Sequence, residues 1–244
     1  MGQYSFPQEL QRSFETDIVS GALARGLWLG FTDLQNRYQA DQSDLSRVLS
    51  AALRKGLIEK DSAGAARILG KSRPAIQSVF QHAAKSGLSP KSIVRAVEVV
   101  PASALVAQKL GLAEQDAVYR QIRTRLVNDE IVANQNNYIP IEVCPGLEAV
   151  DLTHTSFQET LEGRYHAVVA HVEEHFEVRP GSGQDIDILD LEAGANILVV
   201  QRLSLSSSRL PLVWADIHIR IDRYHYVRAL WPEAAALLQV KRGG

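Results

Sequence analysis

One stretch limits what this chain can fold into more than any other. Residues 118–140 read Val-Tyr-Arg-Gln-Ile-Arg-Thr-Arg-Leu-Val-Asn-Asp-Glu-Ile-Val-Ala-Asn-Gln-Asn-Asn-Tyr-Ile-Pro. Two β-rich runs flank Asn128-Asp129, a pair that tolerates the positive φ of a tight hairpin turn. Side chains alternate faces along a strand, so Tyr119, Gln121, Arg123 and Arg125 share one face, and Ile122, Thr124 and Leu126 the other. The returning run carries four amides in succession, Asn134, Gln135, Asn136 and Asn137, although amides are poor strand formers. Two arginines against a polar strand point to a small anion held by forked donors, with amides sorting its hydroxyls or amines. The same pattern also fits a solvated edge hairpin with spare charge.

At 244 residues and 45% apolar content, the chain is long enough for one large or two ordinary domains with real cores. The formal net charge of −2 sets up no global field toward nucleic acid. The charge is unevenly divided, however: residues 1–73 carry 10 Lys/Arg against 8 Asp/Glu, and the remainder 16 against 20. Cys144 is the only cysteine, which excludes an internal disulfide and suits a reducing compartment. The N-terminus lacks a basic stretch followed by an apolar core, and no run of 18 apolar residues occurs. A cytoplasmic protein without a membrane partner is expected.

The chain changes character along its length. Residues 8–25 show a loose helical stripe through Leu10, Phe14 and Ile18. Thr32 is placed to cap a helix over residues 33–39. After a short polar turn, Asp41 or Ser43 caps a third helix, whose stripe is Leu45, Val48, Leu49, Ala52 and Leu53. Gly56 ends it, and residues 57–60 and 66–69 read as a small hairpin. Three helices followed by a hairpin outline a winged helix-turn-helix. Three-helix cores with a hairpin also serve as plain protein-binding modules. Residues 70–90 break periodicity and read as a linker with a short helix over 75–85. Beyond them the pattern is strand-rich: 92–100, the hairpin, 167–179, 197–206 and 212–221, with helices over 103–110, 157–165 and 184–191. The last of these shows an acidic outer face of Asp185, Asp187 and Asp190. The fold class expected is α+β, with a largely antiparallel sheet in the second domain.

Several short segments occur in a common order: Gly87-Leu-Ser-Pro, Val97-Glu-Val-Val-Pro-Ala, Val106-Ala-Gln-Lys-Leu-Gly-Leu, Arg123-Thr-Arg, Asn137-Tyr-Ile-Pro, Asp151-Leu-Thr-His-Thr-Ser-Phe and Arg220-Ile-Asp-Arg-Tyr. In this order the chain resembles the GntR family of bacterial transcription regulators, specifically its HutC branch, over essentially its whole length. The resemblance implies a winged helix-turn-helix over residues 1–70, a linker over 71–90, and a UTRA effector-binding domain of chorismate-lyase-like fold over 91–244. It implies a homodimer on two-fold, double-stranded operator DNA. It also implies a small anionic metabolite as effector, with no cofactor and no enzyme activity.

Carried over residue by residue, the effector site would comprise Ser78, Arg123, Arg125, Gln135, Asn137, Ser156, Asp216 and Arg220. Ser156 lies at a helix start, where outward N–H groups suit an anion; an ordinary N-cap gives the same residue. Gln135 stands where many sugar-phosphate-binding members have glutamate, and a neutral amide donates as well as accepts. Phe80 removes a hydroxyl from the Ser78 segment. Val213 replaces a common glutamate and Asp216 a common basic residue. These departures point away from a sugar phosphate and toward another carboxylate or phosphorylated metabolite.

The DNA-binding half departs further. Where the family reads Leu-Pro-Ser-Glu-Arg-Glu-Leu, this chain reads Trp28-Leu-Gly-Phe-Thr-Asp-Leu. The positions left to contact DNA are Thr32, Gln42, Ser43, Ser46, Arg47, Lys60 and Arg67. Fewer cations mean fewer phosphate contacts, so weaker binding or a different operator is expected. Asp41, Asp44, Glu59 and Asp61 near that face favour a second reading, a ligand- or partner-binding module without strong DNA affinity. No metal site is expected: His171 and His175 are four apart on a predicted strand, about 13 Å along it. Neither a Ser-His-Asp order nor paired acids occur at catalytic spacing, so no catalytic residue is assigned.

Overall fold

A computed structural model describes residues 6–62, 64–70, 88–152, 156–223 and 226. The expected helix over 75–85, Ser78 and Phe80 lie outside them. In the first unit, α1 (Phe6–Ser20), α2 (Phe31–Tyr38) and α3 (Gln42–Arg54) enclose an apolar cluster that includes Leu10, Phe14, Ile18, Leu34, Leu45, Leu49, Leu57 and Ile68. α1 is shorter than the stripe suggested, because the chain turns at Gly21 with φ +84°. Thr32 is not the cap of α2. Gly30 holds that position, and its N–H donates to the Asp33 carboxylate at 2.9 Å. Asp41 caps α3 by accepting from the Asp44 N–H at 2.9 Å. The wing strands β2 (Ile58–Lys60) and β3 (Ala66–Ile68) pair as expected. The Trp28-Leu29 segment, for which no element was expected, forms a short strand β1 on the other side of β3. Two residues are too few to show a period.

The second unit is a six-stranded antiparallel sheet. Its strands are β4 (Pro90–Pro101), β5 (Ala117–Val127), β6 (Glu130–Pro140), β7 (His171–Pro180), β8 (Asn196–Leu205) and β9 (Pro211–Arg220). Their order is β4-β5-β6-β9-β8-β7. The hairpin turns at Asn128 and Asp129, with φ of 51° and 65°, as a primed two-residue turn requires. It is no edge hairpin: β4 flanks β5 and β9 flanks β6. Two helices, α4 (Ala104–Leu110) and α6 (Gly183–Leu189), pack on one face of the sheet, burying Val106 and Leu110 against Val118 and Trp214, and Leu189 against Ile197 and Val199. On the other face α5 (Phe157–Gly163) packs Phe157 and Leu161 against Tyr119, Ile139 and Val213. The expected acidic outer face of α6 is corrected at Asp185, which is 5% exposed and turned inward.

The two units touch at the C-terminal end of α3. Arg54 Nε donates to Glu142 Oε1 at 2.5 Å, and its Nη1 to the carbonyls of Leu110 and Pro211 at 3.0 and 3.2 Å. Beneath it, Lys55 Nζ lies 2.7 and 2.8 Å from the two oxygens of Glu15, both residues buried. Gln11 donates to Glu15 and to the Glu142 carbonyl. Gly56 has φ +70°, a left-handed conformation that favours glycine, and a Cβ there would crowd the Ser207 side chain.

Candidate functional site

Antiparallel pairing fixes which side chains share a face, because directly opposed residues point the same way. One register row runs Val97, Gln121, Asn137, Ala215, Arg202, Glu174 across all six strands. The next carries Arg123 opposite Gln135, and the one after it Ser92 opposite Arg125. The structure therefore places Arg123 and Arg125 on one face, as the alternation predicted, and brings Gln135 and Asn137 to the same face. They form a polar strip between the apolar cluster around Tyr119 and Phe157 and a second around Val200, Ile217 and Ile219.

Arg123 is 2% exposed, and its Nε and Nη1 are buried without a hydrogen-bond partner. Burial pushes its guanidinium down to about 10. Arg125 is displaced in the same direction, first by burial and then by the like charges of Arg123 and Arg202. Its Nε and Nη2 donate to Gln135 Oε1 at 3.0 and 2.9 Å, and its Nη1 to Ser92 Oγ. Gln135 Nε2 donates to Asn137 Oδ1 at 2.6 Å, and Asn137 Nδ2 to Gln121 Oε1 at 2.8 Å. Across Ala215, Arg202 Nε donates to Glu174 at 2.6 Å. Among the described residues, three guanidiniums thus share this face with the Glu174 carboxylate. A positive strip with buried, unpaired donors is chemically suited to an anion, because an unpaired buried donor costs about 1–3 kcal/mol.

The other expected site residues are placed differently. Asp216 and Arg220 alternate with Ala215 and Ile217, so they lie on the opposite face from the arginine pair. Arg220 forks onto Asp222 and donates to the Leu189 carbonyl. Asp216 Oδ2 accepts from His218 Nε2 at 3.2 Å, while His218 Nδ1 meets Asp185 Oδ1 at 2.5 Å. Ser156 caps α5 in a capping box: its Oγ accepts from Glu159 N–H at 3.0 Å, and its own N–H donates to Glu159 at 3.2 Å. Sequence reasoning placed Gln121 on this face without assigning it to the site, and left out Ser92, Arg202 and Glu174. A lone arginine within the apolar run Ile197-Leu-Val-Val-Gln-Arg-Leu was the available signal for Arg202.

On the first unit, Gln42, Ser43, Ser46 and Arg47 lie on the exposed side of α3, opposite its buried stripe. Thr32 is exposed in the first turn of α2, and Lys60 and Arg67 are exposed on the wing. Ser43 Oγ is engaged by Asp41 at 2.9 Å. Arg67 donates to Glu59 at 2.9 Å and lies over the Trp28 ring, 5.9 Å from its centroid.

Fold and site together define a class: a winged three-helix head on an antiparallel-sheet domain, with a buried, donor-rich strip on one face of the sheet. The UTRA domain family matches residues 85–225, and the chain belongs to that family. It is similar to the HTH-type transcriptional repressor NagR of Bacillus subtilis, 24% identical over 232 residues, covering 90% of this chain and 92% of NagR. It is also similar to the HTH-type transcriptional regulator Rv0792c of Mycobacterium tuberculosis, 26% identical over 231 residues, covering 89% and 83% respectively. In fold it matches PhnF of Mycobacterium smegmatis with a TM-score of 0.56 at 17% identity, over 87% of this chain and 95% of that one.

Proposed function

We propose that the chain is a ligand-responsive transcription regulator of the HutC branch of the GntR family, acting without enzyme chemistry. In this reading residues 1–70 bind double-stranded operator DNA as part of a homodimer, residues 71–90 link, and residues 91–244 take a small anionic metabolite. Relatives named as HTH-type transcriptional regulators over nearly the full length support the regulatory part. The observation that carries the ligand part is Arg123, buried with two unpaired guanidinium donors beside Arg125. Arg123 and Arg125 hold the anion, and Gln135 and Asn137 order its surroundings; Gln42, Ser43, Ser46 and Arg47 face the DNA. Among the described residues no helix is long and apolar enough to cross a membrane, which suits a regulator working at DNA in the cytoplasm.

A gel shift on DNA upstream of the gene, at stated salt and with a panel of anionic metabolites, tests this reading. The Arg123→Ala/Arg125→Ala variant is expected to bind DNA like the wild type and to lose the response to effector. A double variant that still responds at the original concentration places the site elsewhere. The tie of Arg67 to Glu59 and the acids Asp41 and Asp44 favour the second reading, a module without strong DNA affinity. No shift at low salt with the dimer intact selects it.

A further inference from the structure

The amides beside the arginine pair are not interchangeable hydrogen-bonding groups; they form a directed chain. Arginine only donates, so the two bonds from Arg125 oblige Gln135 to turn its oxygen toward the guanidinium. That leaves Gln135 Nε2 to donate onward to Asn137 Oδ1. Asn137 then turns Nδ2 to Gln121 Oε1. Each amide fixes the orientation of the next, which is how amide orientation is assigned. The chain ends at Gln121 Nε2, which is buried and without a partner, on a residue that is 0% exposed. Gln121 and Arg123 are neighbours on one face of β5, so the three unpaired polar atoms here, Gln121 Nε2 and Arg123 Nε and Nη1, are all donors.

We propose that Gln121 is a specificity-determining residue of the ligand site. Its Nε2 selects a ligand bearing an acceptor-only oxygen, a carboxylate, next to the anionic group held by Arg123, and residue 135 sets that choice from two side chains away. The inference rests on the arginine strip being the ligand site. Exchanging one N–H₂ for an oxygen in Gln135→Glu keeps the bonds from Arg125 but removes the onward donor. Asn137 must then donate back to the new carboxylate and present Oδ1 to Gln121. Gln121 turns Nε2 to that oxygen, and its Oε1 becomes the free group. The pocket changes from reading an acceptor to reading a hydroxyl or amine, with no side chain added or lost at the point of contact.

Two matched probes test this: phosphonoacetate, whose second group is a carboxylate, and 2-hydroxyethylphosphonate, whose second group is a hydroxyl. By calorimetry on the full chain, the wild type is expected to prefer phosphonoacetate by about tenfold in Kd, because a bond from Gln121 Nε2 to a charged carboxylate is worth more than one to a neutral hydroxyl oxygen. Gln135→Glu is expected to reverse the preference, and Gln121→Glu to lose phosphonoacetate altogether. If Arg123→Ala abolishes both probes while Gln135→Glu leaves their ratio unchanged, the ligand site stands and the directed chain falls. If Arg123→Ala leaves both dissociation constants unchanged, or the wild type binds neither probe at millimolar concentration, the site and the inference fall together. A ligand-free measurement reads the chain itself. In protein labelled with ¹⁵N-asparagine, the Asn137 amide protons are expected to show NOEs to the Gln121 side chain. In Gln135→Glu they are expected to move to the side chain at position 135, and unmoved NOEs overturn the inference.

Discussion

At the scale of single residues, the sharpest electrostatic feature away from the arginine strip is His218. Both of its ring nitrogens face carboxylates, Asp185 and Asp216, an arrangement that favours the doubly protonated ring. Burial alone lowers the pKa of His218, but the hydrogen bonds and charges of Asp216 and Asp185 outweigh it, and the net shift is upward. A folded pKa above the unfolded value of about 6.5 means the pair is stabilising below that pH. The contribution is then lost as pH rises through the folded pKa. Thermal unfolding followed across pH 5 to 9 is expected to show this decline in the wild type. In Asp216→Asn the decline is expected at lower pH, and in His218→Gln it is absent. An unchanged profile in both variants assigns the pH dependence to another group. Asp216 entered the argument as a ligand residue through the family resemblance. The alternation that places it beside Ala215 also turns it away from Arg123.

At the scale of elements, the junction of α1, α3 and the sheet domain rests on a buried ion pair. Lys55 is 1% exposed and Glu15 4%. Removing one partner strands the other in a dry site, whereas replacing both by apolar groups of similar size removes the desolvation problem. Lys55→Met is therefore expected to destabilise the chain by about 3–5 kcal/mol, and Glu15→Leu/Lys55→Met to recover most of that loss. Urea unfolding of the single and double variants measures it. A double variant as unstable as the single one shows that packing, not charge, governs the junction. The local elements were largely legible in the sequence: the stripe Leu45, Val48, Leu49, Ala52 gave α3, and Asn128-Asp129 gave the hairpin turn. The caps were less so: Thr32 was the expected cap of α2, but Gly30 holds that position and Asp33 accepts from its N–H.

At the scale of the whole molecule, the proposed regulator couples a head with few cations on its proposed DNA face to an arginine-rich strip on the sheet. Association with DNA releases one counterion for each phosphate neutralised, which fixes the salt dependence of binding. Among the residues of α3 proposed to face DNA, Arg47 is the cation. Arg47→Ala is expected to weaken binding about equally on all sequences and to reduce the slope of log K against log salt by about one unit per head. Fluorescence anisotropy on one operator duplex at several salt concentrations reads this directly. An unchanged slope shows that Arg47 meets no phosphate and shifts weight to Lys60 and Arg67. The end of α3 away from its cap is held by Glu142 and the carbonyls of Leu110 and Pro211, so the helix that carries Arg47 takes its bearing from the sheet domain.

The sequence by itself determined the α+β class, the order of helices and strands, the hairpin and the common face of Gln121, Arg123 and Arg125. All of these follow from periodicity, turn chemistry and capping, which act over a few residues. Tertiary structure alone decided that the hairpin lies inside the sheet, that Arg202 and Glu174 share the arginine face, and that Asp216 joins His218 and Asp185 instead. Those outcomes depend on strand order and register between segments up to about a hundred residues apart, and on which buried donors find partners once the sheet has closed over them.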